Sequence, residues 1–239
     1  MKPLPKWPKQ PVPLTTKQQK ISDDWMQYWF EINRSKFSRI FGVGHRYVAV
    51  HSPKNFVTTL DIGAGLGEHL AYESLSKLQL SEYVCVELRQ NMADVLQRNW
   101  PDIQVRVADC QQRLPFADDY FDRVIAIHVL EHLPDLPEFL REAHRLLNKT
   151  MGRLLVVIPC EGGFGYWLGR LFTSKRLFEK RYNRPYAPFI AAEHVNHAGE
   201  ILSEVSNLFS TEHSSFYPLR IPSFHLNLLI GLTLKPRPR

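Results

Sequence analysis

The stretch TTLDIGAGLGE, residues 58–68, decides the fold of this chain. Its apolar, β-branched start ends in Asp61, glycines then alternate at positions 63, 65 and 67, and a helical pattern follows. Such a stretch predicts a buried strand, a tight turn whose backbone lies open to a ligand, and the N-terminus of a helix. We therefore expect an α/β fold with a ligand-binding turn after its first strand.

Two acids beside this turn limit the chemistry of the ligand. Asp61 stands at the end of the strand, and Glu68 occupies the position at which the dinucleotide-binding pattern G-x-G-x-x-G has its third glycine. Carboxylates at these positions would repel a pyrophosphate, but they suit a ligand that carries an amine and no phosphate. S-adenosylmethionine, with its ammonium, sulfonium and ribose, is such a ligand.

Two further predicted strands also end close to an acid. Residues 82–87 have the pattern of a buried strand and end in Glu87, which is placed to accept hydrogen bonds from both hydroxyls of a ribose. Residues 103–110 contain the next strand, and Asp109 is placed to accept from an adenine amino group. One such acid can simply cap the following helix, but three at near-even spacing favour a cofactor site.

These motifs resemble those of the class I S-adenosylmethionine-dependent methyltransferases, in particular the small-molecule group. The resemblance runs from about residue 58 to residue 159 and includes the segments 114–122, 128–133 and 152–159. The remainder of the chain lies outside the shared pattern, and we expect acceptor specificity to reside there.

The resemblance implies a role for each residue that matches the family's motifs. The counterparts of Asp61 and the glycine turn hold the methionine end of the cofactor, that of Glu87 holds the ribose and that of Asp109 the adenine. The counterpart of His128, at the end of the fourth strand, lines the methionine moiety. The implied cofactor site consists of Asp61, Gly63, Ala64, Gly65, Gly67, Glu87, Leu88, Asp109, Cys110 and His128. Its product would be S-adenosylhomocysteine.

Strand and helix patterns alternate from residue 56 onward, and residues 134–148 carry the clearest helical stripe. This alternation predicts a doubly wound, mostly parallel sheet with helices on both faces and with ligands at the carboxyl ends of the strands. The resemblance implies seven strands, of which the last is inserted antiparallel. Residues 51–239 are thus the predicted methyltransferase domain, with an insertion at about 161–195 after strand five.

The first fifty residues are predicted to form an extension of the domain. Residues 1–20 alternate proline and lysine, so we expect them to be extended or disordered. Ser22 has the features of a helix N-cap, and residues 21–50 are predicted to be helical and aromatic. The aromatic stripe is expected to pack on the domain as a lid or edge, with contact to a membrane surface or an apolar substrate as the alternative.

Composition sets the class of protein. The chain has 239 residues, 44% of them hydrophobic, which suits one α/β domain with additions. Its three cysteines lack metal or disulfide spacing, and we find no signal peptide or membrane-spanning run, so we expect a reduced, cytoplasmic protein without a structural metal. The net charge of +6 allows an anionic partner without requiring one.

Methyl transfer from a sulfonium depends mainly on alignment of the acceptor, and a base is needed only where the acceptor must lose a proton. His128 is the predicted catalytic residue on the cofactor side. His194 lies in a stretch that can fold over the pocket, and it is either a base or a loop or capping residue. Glu131 and His132 are expected to fix the loop after strand four.

The insertion mixes basic and aromatic side chains and begins with glycines at 162, 163 and 165. It is either a solvated helical hairpin or a cover over the acceptor. The second interpretation favours a small-molecule or lipid-linked acceptor with an acidic group. In that case the glycines would form a hinge, and His194 would reach the pocket only on closure.

Three alternatives stay open. Methylation of RNA or another nucleic acid is favoured by the basic segments. Against it, Ile127-His128-Val129-Leu130 stands where amino-methylating enzymes of nucleic acids carry an acid or Asn followed by two prolines, and Cys160 resembles the nucleophile of cytosine methylation only faintly. A non-catalytic cofactor-binding protein on the same fold is the second alternative. An oxidoreductase is the third, weakened by Asp61 and Glu68.

Overall fold

A computed structural model describes residues 6–35 and 38–238 of the chain. Its seven strands form one sheet in the order β3-β2-β1-β4-β5-β7-β6. The first five strands run parallel, whereas β7 pairs antiparallel with both β5 and β6. The strands are β1 Thr59–Ile62, β2 Tyr83–Glu87, β3 Gln104–Val107, β4 Arg123–Ile127, β5 Arg153–Pro159, β6 Phe209–Tyr217 and β7 Leu229–Pro236. The predicted sheet is confirmed.

Helices cover both faces of this sheet, as predicted. Leu60 and Ile62 of β1 share one apolar core with the stripes of α5 and α9. On the opposite face, α2 packs against β4 and β5, and α4 packs near β2. The helices are α1 Thr16–Ser35, α2 Ser38–His51, α3 Lys77–Ser81, α4 Gln90–Asn99, α5 Leu136–Leu146, α6 Phe164–Phe172, α7 Ser174–Tyr182, α8 Ala187–Glu193 and α9 Ala198–Leu208.

The first helix begins earlier than predicted. Residues 6–15 lie in no helix or strand, but α1 starts at Thr16 rather than after Ser22. Thr15 forms the cap, because its hydroxyl accepts from Gln18 N at 3.3 Å while its own N–H donates to the Gln18 side chain at 2.9 Å. Ser22 instead lies buried within the helix. The extended segment therefore ends at residue 15, and residues 1–5 lie outside the described residues.

The aromatic stripe of α1 packs against the insertion. Trp25 is buried, with its ring centroid 5.2 Å from that of Phe178 in α7 and 6.0 Å from that of Tyr186. Arg181 and Asp24 add an ion pair at 3.0 Å on the rim of this cluster. The stripe thus forms an edge of the domain, as expected. Among the described residues, no helix has the length and apolar character that crossing a bilayer requires.

Arg123, at the start of β4, is fully buried and forms hydrogen bonds to three neighbouring segments of the chain. Arg123 donates from Nη1 to the Glu73 carboxylate and to Ser52 Oγ, each at 2.7 Å, and from Nε to Thr59 Oγ1 at 2.8 Å. Its guanidinium also lies 3.7 Å from the centre of the Phe56 ring. These contacts connect β4 with β1 and with the segment that follows α2. These contacts depend on the planar guanidinium group with its several N–H donors, which lysine lacks.

We predict that Arg123→Met destabilises the protein by about 3–5 kcal/mol, because Glu73 keeps a buried charge without its cation. Urea unfolding followed by circular dichroism measures the loss. The double variant Arg123→Met/Glu73→Gln is the control and should recover part of the stability, since it removes the uncompensated charge. Equal stability of the wild type and Arg123→Met would contradict the role given to this ion pair.

Candidate active site

The glycine turn lies where the strand order of the sheet reverses. β1 is flanked by β2 on one side and β4 on the other, which is the place where α/β sheets bind ligands. Gly63, Gly65 and Gly67 have φ angles of 64°, 60° and 87°, a region that favours glycine. A Cβ atom on Gly63 would lie 2.6 Å from Val129 Cγ2. The turn thus packs directly against the loop after β4.

Glu87, at the end of β2, is oriented by backbone amides. Its Oε2 accepts from Gly65 N at 3.1 Å and its Oε1 accepts from Arg89 N at 3.0 Å. Each carboxylate oxygen can accept a second hydrogen bond, and neither of these two contacts uses a cationic side chain. A buried carboxylate held in this way fits a pair of ribose hydroxyls, which is the role that the resemblance implies.

The remaining predicted cofactor residues lie at the same edge of the sheet. Asp109 follows β3 by two residues, and its Oδ1 accepts from Gln111 N at 2.9 Å. Leu88 is exposed, whereas Ala64 is nearly buried. Burial raises the pKa of the Cys110 thiol to about 12, so the thiol stays neutral. Cofactor contacts of these residues stay predictions, but the structure brings them together.

Asp61 differs from the other acids because protein encloses its carboxylate. Its side chain is 3% exposed, and Oδ2 accepts from Tyr83 Oη at 2.8 Å. Burial raises the pKa of Asp61 to about 6, although His69 and the Tyr83 hydroxyl act in the opposite direction. The carboxylate therefore supports the turn from inside the protein. A direct contact with the methionine end of the cofactor stays a prediction.

The loop after β4 carries a buried carboxylate among histidines. His128 directly follows β4 with a φ of 55°, and its Nδ1 lies 3.5 Å from Glu131 Oε1. Glu131 is 1% exposed and sits in the 3₁₀ helix Leu130–His132. Burial alone would raise the pKa of Glu131, but the hydrogen bond from His128 and the charges of nearby histidines outweigh it and hold the pKa at about 2. Glu131 is therefore a charged group.

His194, from the segment after α8, joins this cluster. Its ring lies edge-on to that of His132, with centroids 4.8 Å apart. His194 Nδ1 lies 2.9 Å from Glu161 Oε2, and Arg170 holds both oxygens of that carboxylate at 2.6 Å. The structure thus brings the two predicted catalytic residues, His128 and His194, to one end of the sheet.

Asn196 clamps this arrangement and was not predicted from the sequence. Its side chain is fully buried, and Nδ2 donates to Leu130 O at 2.7 Å and to Leu133 O at 2.8 Å. Its backbone N–H donates to Glu131 O at 3.0 Å. Three hydrogen bonds from one residue therefore hold the segment after α8 against the loop after β4. The sequence signal is limited to a polar residue near His194 and His197.

A cavity of about 340 Å³ lies beside the cluster. Its volume lies within the range of sites for small molecules. The cavity is bordered by residues 9–12, Glu161, Ile190, Ala191, His194, Val195 and His197. Lys9 forms one wall, since its Nζ donates to Val195 O at 2.8 Å and to Glu200 at 2.6 Å. The predicted basic tail thus contributes to the cavity.

The insertion forms helices α6, α7 and α8, and its glycines have a packing role. A Cβ atom on Gly163 would lie 2.3 Å from Phe224 O, and one on Gly165 would lie 2.9 Å from Leu226 O. Close backbone approach explains these glycines without a hinge. His194 lies beside Glu131 in this structure, and closure of the insertion stays a prediction.

Comparison with known proteins identifies the domain. Residues 60–156 match the family model of a methyltransferase domain. The mitochondrial arginine hydroxylase NDUFAF5 of Homo sapiens is 27% identical over 130 residues, which are 54% of this chain and 32% of the relative. Its Danio rerio counterpart is 28% identical over 133 residues, which are 54% of this chain and 35% of that protein. The match spans about a third of these relatives.

Solved structures share the fold at low sequence identity. A TehB-like S-adenosylmethionine-dependent methyltransferase from Corynebacterium glutamicum has a TM-score of 0.60 at 15% identity, with 92% of this chain and 100% of that chain covered. The N-methyltransferase NodS from Bradyrhizobium japonicum, solved with S-adenosylhomocysteine, has a TM-score of 0.56 at 12% identity, with 87% and 91% covered. These structures confirm the predicted fold, and the family-model match of residues 60–156 confirms the methyltransferase domain.

We predict that Glu87→Ala weakens binding of S-adenosylhomocysteine at least about a hundredfold, because two hydrogen bonds to a charged group are worth about 1.5–3 kcal/mol each. Isothermal titration calorimetry measures the affinity. Glu82→Ala is the matched control, since Glu82 precedes the same strand, is only half-buried and accepts a hydrogen bond from Tyr120 Oη. Unchanged affinity of the Glu87 variant would exclude the ribose role.

We also predict that Asn196→Ala lowers the free energy of unfolding by roughly 2–4 kcal/mol, because two buried carbonyls lose their donor. Hydrogen exchange should rise in residues 130–133 and 194–198. Asn207→Ala, at an exposed position of α9, is the control and should leave stability and exchange unchanged. If exchange in the loop after β4 did not change, the clamp would have no part in holding it.

Proposed function

The chain carries a class I S-adenosylmethionine-dependent methyltransferase domain, and we propose that it transfers a methyl group to a small-molecule or lipid-linked acceptor with an acidic group. The cavity beside His194 is the observation that carries this proposal, because its volume of about 340 Å³ suits a small molecule. The ionisable residues on its border are Lys9, His194 and His197, with Glu161 as the opposing acid.

On the cofactor side, the glycine turn and Glu87 would hold the ribose and the methionine end, and Asp109 the adenine. When bound, S-adenosylmethionine supplies an electrophilic methyl group. The oriented, nearly buried carboxylate of Glu87 supports this assignment. His128 faces the same region from the end of β4 and would line the methionine moiety.

On the acceptor side, Lys9 and His194 are the residues that matter. The Lys9 ammonium has three hydrogens and uses two of them on Val195 O and Glu200, so the third can bind an acidic group. Glu161 holds His194 through Nδ1, so Nε2 is free to act on an acceptor hydroxyl. His194 would promote loss of that hydroxyl's proton as the methyl group is transferred.

Nucleic-acid methylation is the alternative for the same domain. Its support, the basic insertion, is reduced because Arg170 pairs with Glu161 and Arg181 pairs with Asp24. Affinity for nucleic acid rests on cations that neutralise phosphates, and paired arginines contribute less. The match to proteins named arginine hydroxylases favours a second candidate, hydroxylation of an arginine side chain, in which dioxygen would be the oxidant and a separate two-electron donor would reduce its second oxygen atom to water. A non-catalytic protein would bind the cofactor and turn over none of these acceptors.

We predict that His194→Ala retains S-adenosylhomocysteine binding and loses at least about a hundredfold in turnover, since a positioned acid–base group contributes about 10²–10⁴. Mass spectrometry would follow formation of S-adenosylhomocysteine with hydroxylated aromatic acids and quinone precursors as acceptors. The exposed His225, in the variant His225→Ala, is the control. Wild-type turnover by His194→Ala would exclude a role for this ring.

The same assay separates the candidate functions. Transfer RNA and arginine-containing peptides are included as competing acceptors. Methylated transfer RNA with unmodified small acids would favour the nucleic-acid alternative, and an arginine peptide that gains one oxygen would favour hydroxylation. Cofactor binding without any modified acceptor would favour the non-catalytic alternative.

A further inference from the structure

The histidines around Glu131 have the arrangement of a metal site, and we propose that Glu131, His132 and His194 bind one divalent transition-metal cation. One ligand atom from each side chain lies within 4.8 Å of the other two. Zinc holds nitrogen and oxygen ligands at about 2.0–2.2 Å, so a bound ion would draw these atoms together by roughly 1 Å. The sequence-based expectation of no metal rested on the cysteines and did not consider this group.

His132 is oriented as a metal ligand would be. Its Nδ1 lies 2.8 Å from Glu193 O, and because a carbonyl can only accept, Nδ1 carries the proton. In the neutral ring the lone pair is therefore on Nε2, which lies 3.9 Å from Glu131 Oε1. Ligating histidines usually donate their other ring N–H to a carbonyl or a carboxylate in this way.

His194 is oriented in a similar way, by a carboxylate instead of a backbone carbonyl. Its Nδ1 lies 2.9 Å from the carboxylate of Glu161, which Arg170 holds in place. This contact fixes the ring and leaves Nε2 with the lone pair. A carboxylate–histidine–metal series is a common device for orienting a ligand and making it more basic. Two histidines in one cluster thus have their outer nitrogens occupied and their inner nitrogens available.

Glu131 supplies the charge that a cation requires. It is 1% exposed, and its Oε2 has no hydrogen-bond partner among the described residues. A buried carboxylate oxygen without a partner is costly, and a cation would supply the missing partner. The sequence interpretation, in which Glu131 and His132 only fix the loop after β4, leaves this oxygen unexplained.

The ligand set limits the choice of ion. Two imidazole nitrogens and one carboxylate suit Zn²⁺, Mn²⁺, Fe²⁺ or Co²⁺ better than Ca²⁺ or Mg²⁺, which prefer oxygen. Three protein ligands leave a coordination position open, as in catalytic zinc sites. This part of the inference rests on the proposed function: an acceptor hydroxyl at that position would have its pKa lowered by the cation. His194 would then act as a ligand rather than as the proton acceptor.

The test titrates the chelator-treated full-length chain with Zn²⁺ by isothermal titration calorimetry, without cofactor or acceptor. We expect one ion per chain. Glu131→Gln and His132→Gln should each weaken binding at least about a hundredfold, and Glu161→Gln by about 10–100-fold, because it orients a ligand without touching the ion. His213→Gln is the control, since His213 stacks on His51 away from the cluster and offers a competing histidine pair.

Visible absorption of the Co²⁺ form of the wild type keeps the proposal testable if a variant fails to fold. Intense bands of a four- or five-coordinate ion support the site, and the weak spectrum of a six-coordinate, hydrated ion overturns it. Binding that is lost in His213→Gln and kept in Glu131→Gln also overturns it. Because neither measurement requires methyl transfer, failure of the cation site and failure of the proposed function are separately visible.

Discussion

The candidate active site depends on one buried amide. Asn196 donates two side-chain hydrogen bonds and one backbone hydrogen bond to the loop after β4, so the segment that follows the insertion cannot move independently of that loop. The cofactor edge needs no such clamp, because the strands that form it are already hydrogen-bonded to one another. On the acceptor side, the loop after β4 and the segment after α8 come from distant parts of the chain, and the three hydrogen bonds of Asn196 help to join them. A buried amide has this effect because leaving its partners unsatisfied is costly.

Much of the fold could be predicted from the sequence, because its signals are local. The stretch 58–68 combines a strand, a turn and a helix start within eleven residues, and the alternating patterns behind it predict a parallel sheet. The start of α1 was missed although its signal is present: Thr15 and Gln18 have the spacing of a capping box. The proline and lysine content of the preceding residues favoured an extended chain, and local capping prevailed over that composition.

The two halves of the candidate site were not equally predictable, for a physical reason. Glu87 and Asp109 lie next to strand ends, and parallel strands place their carboxyl ends at one edge, so sequence position implies spatial position. The contacts among Glu161, His194 and Glu131 depend on how three helices of the insertion return to the sheet, and no pattern in the sequence reports that path. The basic and aromatic content of the insertion suggested a cover with free cations. Arg170 and Arg181 are instead paired with acids, and the aromatic side chains pack on α1.

The negative charge of Glu131, buried on the acceptor side, must be compensated by a neighbouring positive charge. Glu131 is a buried, charged carboxylate, and such a group is stable only with a compensating charge nearby. Protonation of His128, His132 or His194 would supply that charge, but His132 and His194, whose ring centroids lie 4.8 Å apart, would repel each other if both were protonated. A single cation bound to three ligands compensates Glu131 without placing a proton on either inner nitrogen, and it keeps the contacts of the outer nitrogens with Glu193 and Glu161. The hydrogen bonds made by Nδ1 of His132 and Nδ1 of His194 are thus compatible with the proposed metal-bound state.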